Sequence, residues 1–271
     1  MLITYQIIIR GINLCELLGL NFNYQIDPSF SFKGFRNRGT NNPDGWGLAF
    51  YPNGSCQIMK EPLKAGESTL SQFVQTYPQI KSNIILAHVR RNSVVETNYQ
   101  NTHPFQRELN GGDYVFAHNG TIKGYENDFI TYNYKPVGST DSEAIFCHLL
   151  NRIHDEEIQL NSSEGFDWLW RELRTINDYG NFNCIFSDGI HLFCYHDENG
   201  YNGLRYLNRK APFGPVNLSD EDYQIDLSQQ ETPYQKGYII ASHPLTDEEW
   251  KSFSSGQLKV FKKGQTIFSK G

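Results

Sequence analysis

Nothing in the 271 residues approaches the roughly 18 consecutive apolar positions that a membrane-crossing helix needs, so no such span is expected. Lysine and arginine form no run and the net charge is −6, which excludes a nucleic-acid-binding face. No C-x-x-C pair occurs among the five scattered cysteines (Cys15, Cys56, Cys147, Cys184, Cys194), so neither a zinc knuckle nor a redox dithiol is signalled. An odd, unpaired set of thiols fits a reducing, cytoplasmic compartment in which one cysteine reacts and the others pack. No repeat, low-complexity tract or linker divides the chain, so residues 15–271 read as one domain. The first ten residues lack the basic leader and cleavage site of a signal peptide; by themselves they read as a short edge strand.

What is present favours strands. Sixteen tyrosines and 18 phenylalanines accompany an apolar content of 38%. Strand-like runs recur at 48–51, 84–89, 114–117, 183–186, 190–195, 238–242, 258–261 and 266–268. Asp188-Gly189 between two of them supplies the positive φ angles of a hairpin turn. Helices are fewer. Thr140-Asp-Ser-Glu143 is a capping box ahead of Ala144, Ile145 and Leu149; residues 166–176 carry Phe166, Leu169, Trp170 and Leu173 at helical spacing; Thr246-Asp-Glu-Glu249 repeats the capping pattern near Trp250. Many hairpin-like strands with helices between them imply a layered α+β fold.

Four segments hold residue types used in acyl transfer, and each also has a bland reading. Cys15-Glu-Leu-Leu-Gly19 offers a thiol, though a lone cysteine beside apolar neighbours is usually packing. Asn42-Pro-Asp-Gly-Trp-Gly47 lets a backbone approach closely, or simply turns. In Ala87-His-Val-Arg-Arg91, followed by Asn101-Thr-His-Pro-Phe105, a strand puts His88 and Arg90 on one face and Arg91 on the other. An inward Arg90 suits a two-pronged grip on a carboxylate, whereas Arg91 reads as a surface ion pair. Phe116-Ala-His-Asn-Gly120 is a turn signal, or a side-chain amide beside a backbone N–H in the geometry of an oxyanion hole. Asp141, in a first helical turn, favours the helix dipole or pairs with a substrate ammonium.

In this order, and together with Ile240-Ala-Ser-His-Pro-Leu-Thr246, these segments resemble the class II glutamine amidotransferases over about residues 14–271. The nearest likeness is to stand-alone glutaminase-like members, including γ-glutamyl hydrolases of thiol-metabolite pathways. The resemblance implies the four-layer αββα sandwich of the N-terminal-nucleophile hydrolases. It also implies roles: Cys15 as nucleophile, Arg90 on the substrate α-carboxylate, Asp141 on its α-ammonium, Asn119 and Gly120 at the oxyanion. His103 and Trp46 shape the pocket. Asn92-Ser93 stands where relatives often have Ala-Thr, and serine keeps the hydroxyl.

Such a cysteine uses its own α-amine, which titrates near 8, as general base. Here fourteen residues precede it, so residues 1–14 are expected to be a propeptide or, preferably, a mis-assigned start with Leu14 in the initiator's place. No synthetase or phosphoribosyl-binding segment follows, so the expected partner is a small molecule, with a separate synthase subunit as an alternative destination for ammonia. No cofactor is implied, and no metal either: His88, His103 and His118 lack close i, i+4 ligand spacing. Two other functions compete. One is a non-catalytic module of the same fold that binds glutamate or glutamine. The other is a papain-like thiol hydrolase with His118 or His103 activating Cys15.

Overall fold

Side chains of Leu18, Leu20 and Phe22 in β1 (Glu16–Ile26) point to one face, while Leu17 and Gly19 point to the other, the period of two that a strand imposes. The computed structural model describes residues 15–38, 43–77, 79–91, 96–219, 224–227 and 232–271. Residues 1–14, Asn42 and Asn92-Ser93 lie outside them, so the expectations placed there have no structural counterpart.

β1 is the centre of a seven-stranded antiparallel sheet. Its order is β13 (Lys251–Ser252), β9 (Arg205–Lys210), β12 (Lys236–Ala241), β1, β4 (Ser82–Val89), β2 (Trp46–Phe50) and β3 (Gln57–Glu61). A second antiparallel sheet runs β15 (Gln265–Lys270), β14 (Leu258–Lys262), β8 (Leu192–Tyr195), β7 (Gly180–Ser187), β6 (Gly112–Ile122) and β5 (Phe105–Leu109). β10 (Pro215–Asn217) and β11 (Gln224–Asp226) form a separate two-stranded ribbon.

Three apolar clusters define the layers. Helices α1 (Ser29–Arg38) and α2 (Thr69–Thr76) bury Phe32, Phe35 and Val74 against Leu18, Leu48 and Ile85 of the first sheet. Leu17, Leu86, Val115, Ala117, Ile185 and Ile240 fill the space between the sheets. Helices α3 (Asp141–Asp155) and α4 (Ser163–Asn177) cover the far face of the second sheet through Phe146, Leu149, Leu169 and Leu173. This is the expected αββα stacking. No helix among the described residues is long and apolar enough to cross a membrane.

Local signals mostly work for physical reasons that can be named. The Thr140 hydroxyl accepts the Glu143 N–H at 3.1 Å and starts α3; Ser162 does the same for α4 through Gly165 N. Gly189 takes φ +82° in the turn between β7 and β8, but β8 begins only at Leu192. Asp188 captures the N–H groups of Ile190 and His191, which holds both in the turn. The capping pattern at Thr246 starts no helix. Its hydroxyl donates to Glu248 and accepts the indole N–H of Trp250, and the residue bridges to Leu218 instead.

Candidate active site

Three strands carry alternate residues of one face to the same end of the inter-sheet layer. On β4 that face runs Ile84, Leu86, His88 and continues to Arg90; on β6 it runs Val115, Ala117, Asn119; on β1 it runs from Leu17 back to Cys15. β1 and β4 are antiparallel with Leu17 opposite His88 and Glu16 opposite Val89, so Cys15 reaches the level of Arg90. A cleft of about 330 Å³ opens there, lined by Cys15, Arg90, His103, His118, Gly120 and Asp141 among others. A larger depression of about 410 Å³, beside Phe22, Arg209 and Gln235, lies toward the other end of β1 and touches none of the expected site residues.

The Cys15 thiol is seated against the main chain of Arg91, donating to its carbonyl and accepting its N–H, both at 3.2 Å. Burial pushes this thiol up to about 11, while the Arg91 hydrogen bond and the Arg90 charge pull the other way. The Cys15 carbonyl accepts the side-chain amides of Asn119 and, at 2.9 Å, Asn202. Asn119 Nδ2 also reaches Ser242 Oγ at 3.3 Å, whereas its Oδ1 is buried without a partner. Gly120 follows at φ +148°, and a Cβ added there would lie 1.9 Å from the Asn181 carbonyl oxygen. Only glycine fits.

Arg90 is buried and its Nη1 has no partner, while Arg91 is exposed, so the strand-face expectation for this pair holds. The main chain of Arg90 is tied to the glycine-rich segment: its N–H donates to the Gly45 carbonyl at 2.7 Å and its carbonyl accepts Asp44 N–H at 3.1 Å. Asp141 accepts the backbone N–H groups of Ile122 and Ser142, each at 2.8 Å, which fixes the head of α3 to the exit of β6.

Three histidines surround this end of the layer. His103 stacks on His88 with ring centroids 4.2 Å apart; both are buried and no ring nitrogen of either finds a hydrogen-bond partner. Burial, followed by the charge of Arg90, holds His88 down to about 3; burial also drives His103 well below the ordinary range. His118 contacts Ser142 Oγ through Nδ1 at 2.9 Å and the Asn181 carbonyl through Nε2 at 3.2 Å. A carbonyl only accepts, so Nε2 carries the proton and Nδ1 takes the Ser142 hydroxyl hydrogen. Among the described residues no group of three or more His, Cys, Asp or Glu is arranged to hold a metal ion.

Trp46 is displaced from its expected place. It is fully buried in the helix-side core, its ring 5.7 Å from that of Phe32, and does not line the cleft. The neighbouring glycine makes the close approach: a Cβ on Gly47 would lie 2.2 Å from the His103 carbonyl oxygen. Asn202 carries no expectation from sequence, and Ser242 only its place in the Ile240–Thr246 segment, yet both join the hydrogen bonds around Cys15; the Asn-Gly pair at 202–203 is a turn signal and nothing more specific.

A model of the family described as class II glutamine amidotransferases matches residues 14–270. An uncharacterized protein of Methanocaldococcus jannaschii is 48% identical over 256 residues, which cover 94% of this chain and 71% of that protein. A candidate glutamine amidotransferase of Escherichia coli is 37% identical over 260 residues, 94% of this chain and 100% of the other. Among solved structures, a predicted glutamine amidotransferase from Pseudomonas aeruginosa is similar with TM-score 0.72 and 32% identity, over 94% of this chain and 100% of that one. The glutamine phosphoribosylpyrophosphate amidotransferase of B. subtilis shares the fold at 16% identity and TM-score 0.61, over 94% of this chain and 49% of its own.

Proposed function

The chain belongs to the class II glutamine amidotransferases, and from that premise we propose that it hydrolyses the γ-amide of glutamine or a γ-glutamyl compound through a thioester on Cys15. The observation that carries this reading is the convergence on one cleft of a seated thiol, a buried arginine with an unpartnered guanidinium nitrogen, and the Asp141 carboxylate. Arg90 takes the α-carboxylate and Asp141 the α-ammonium, which leaves the γ-carbonyl facing Cys15.

The thiol attacks that carbonyl while the α-amine of Cys15 takes its proton, and the oxyanion is met by the Asn119 amide and the Gly120 N–H. The proton passes to the leaving nitrogen, the C–N bond breaks, and ammonia or an amine departs. Water then hydrolyses the thioester to glutamate and restores the thiol. The thiol bonds the Arg91 main chain and neither His103 nor His118, which supports the amine over either imidazole as the base. The active form therefore begins at Cys15, since an amide nitrogen following Leu14 has no usable basicity.

Two expressed forms test this. One begins Met-Cys15, so that aminopeptidase exposes the cysteine; the other keeps residues 1–14. The first should release glutamate from glutamine or a γ-glutamyl amide, with activity rising through an apparent pKa within about a unit of 8. The second should be silent unless N-terminal sequencing shows that it has cleaved itself. Equal turnover by an uncleaved long form would overturn the reading.

A further inference from the structure

The amide nitrogen that the proposed chemistry needs at the oxyanion is occupied elsewhere. Asn119 Nδ2 has two hydrogens, and they go to the Cys15 carbonyl and Ser242 Oγ. Its Oδ1 is buried with no partner, an arrangement that is costly for an acceptor out of reach of water. To serve an oxyanion, this amide must turn away from Cys15. The Cys15 carbonyl would then lose one of the two donors that fill its lone pairs.

The second donor has no such conflict. Asn202 Nδ2 lies 2.9 Å from the Cys15 carbonyl oxygen. Asn202 occupies the left-handed region at φ +54°, a conformation asparagine tolerates better than most residues. Its turn is held from below. The Asp197 carboxylate accepts the N–H groups of Asn199 at 2.8 Å and Tyr201 at 3.1 Å, and Asn183 donates its amide to the Tyr201 carbonyl at 2.6 Å. Asn183 lies opposite Asn119 in the β6–β7 register, and Asp197 and Asn183 are both fully buried. None of the hydrogen bonds that hold this turn involves the Asn119 side chain, so its amide can turn without breaking any of them.

We propose that Asn202 is a positioning residue that holds the Cys15 main chain in place while Asn119 turns its amide toward the developing oxyanion. This rests on the hydrolytic reading above, and it assigns the two asparagines different tasks on one carbonyl. Asn119 exchanges partners during the reaction; Asn202 does not.

The test uses the form that begins Met-Cys15, carrying either Asn202→Gly, which keeps the turn and removes the donor, or Asn202→Asp, which keeps the shape and replaces the donor by an acceptor. Iodoacetamide labelling at pH 8, read by mass mapping at all five cysteines, is run beside turnover of glutamine and a γ-glutamyl anilide. With the carbonyl released, the thiol leaves its half-buried seat on Arg91. Cys15 should then label at least about fivefold faster in both variants, while Cys56, Cys147, Cys184 and Cys194 stay as protected as in the parent. In the same proteins kcat should fall about tenfold with KM within about twofold, the loss expected of one hydrogen bond that does not touch substrate. Faster labelling at every cysteine, or a Cys15 rate within twofold of the parent in both variants, overturns the assignment. A parent that turns over neither substrate breaks the hydrolytic reading instead, and the labelling still decides the role of Asn202.

Discussion

The layer between the sheets is built from the same strands at both ends, and its two ends behave as different materials. Toward the middle, Ile84, Leu86, Val115, Ala117 and Ile185 interlock with no polar atom to satisfy. Two to four residues further along those strands, the same faces present His88, Arg90 and Asn119, and here buried polar atoms lack partners. Apolar packing is complete without a ligand. The polar end is not, and an unpartnered guanidinium nitrogen beside a thiol marks where ligand atoms would complete it.

Four measurements would break or sharpen that contrast. The largest effect is expected at the nucleophile: Cys15→Ala should lower γ-glutamyl hydrolysis at least about a thousandfold, the scale on which a covalent mechanism fails. Single alanine substitutions at Cys56, Cys147, Cys184 and Cys194 should leave turnover detectable, and a glutamine-analogue diazoketone should label Cys15 alone. Labelling at a buried cysteine would reverse the assignment of the two ends.

Next comes the apolar stretch. Leu86→Ala should destabilise the fold by about 2–5 kcal/mol in a denaturant titration, through lost transfer energy and the cavity left behind. Its KM should barely move in whatever protein remains folded. A third effect separates the two arginines. Arg90→Lys should raise KM about tenfold or more although the charge is kept, because a two-pronged geometry is lost; Arg91→Lys should change it less than about twofold. Equal losses would mean that inward and outward positions do not differ in function.

The smallest effect is pH dependence. In the unfolded chain His88 titrates near 6.5, whereas burial holds it down to about 3 in the folded one. Between those values the unfolded chain binds a proton that the folded chain refuses, so stability falls as pH drops through this window. The slope should approach about 1.4 kcal/mol per pH unit for each such histidine. His88→Gln should flatten the curve below pH 6.5, whereas the cost of Leu86→Ala should be the same at pH 7.5 and pH 5.5. A parallel acid slope in His88→Gln would remove His88 from the account.

Much of this arrangement is legible in the sequence where one local rule governs. The Thr140 cap and the alternation around His88 and Arg90 each follow from backbone geometry within a few residues, whereas the glycine at 120 is demanded by the Asn181 carbonyl of the neighbouring strand. Trp46 shows where that reasoning stops. Trp46, Leu48 and Phe50 form one apolar strand face and Gly47 lies on the other, so alternation alone could have turned the tryptophan away from the site. β1 is buried on both faces, so Leu17-Leu18-Gly19-Leu20 shows no alternation of polar and apolar residues to mark a strand. Thr246 has the same local pattern as Thr140, yet its tertiary contacts with Glu248 and Trp250 compete with helix initiation. Asn202 lies 187 residues from Cys15, and no local rule can supply a contact of that span.

Asp197 makes the order in which these parts open a matter of its own hydrogen bonds. Besides the turn that carries Asn202, its carboxylate holds the Phe182 N–H at 2.8 Å and the Asn177 amide at 2.9 Å. One buried side chain thus joins the end of α4, the start of β7 and the loop that grips the nucleophile's carbonyl. Oδ1 serves only the loop while Oδ2 serves α4 and β7, so opening the loop leaves a buried carboxylate oxygen without a donor, at a cost that ties the loop to the elements around it. The loop behind Asn202 therefore belongs to the same cooperative unit as α4 and the second sheet. In native-state hydrogen exchange, the Tyr201 amide should open with the Phe182 amide and with sheet unfolding, unlike the amides of an ordinary surface turn.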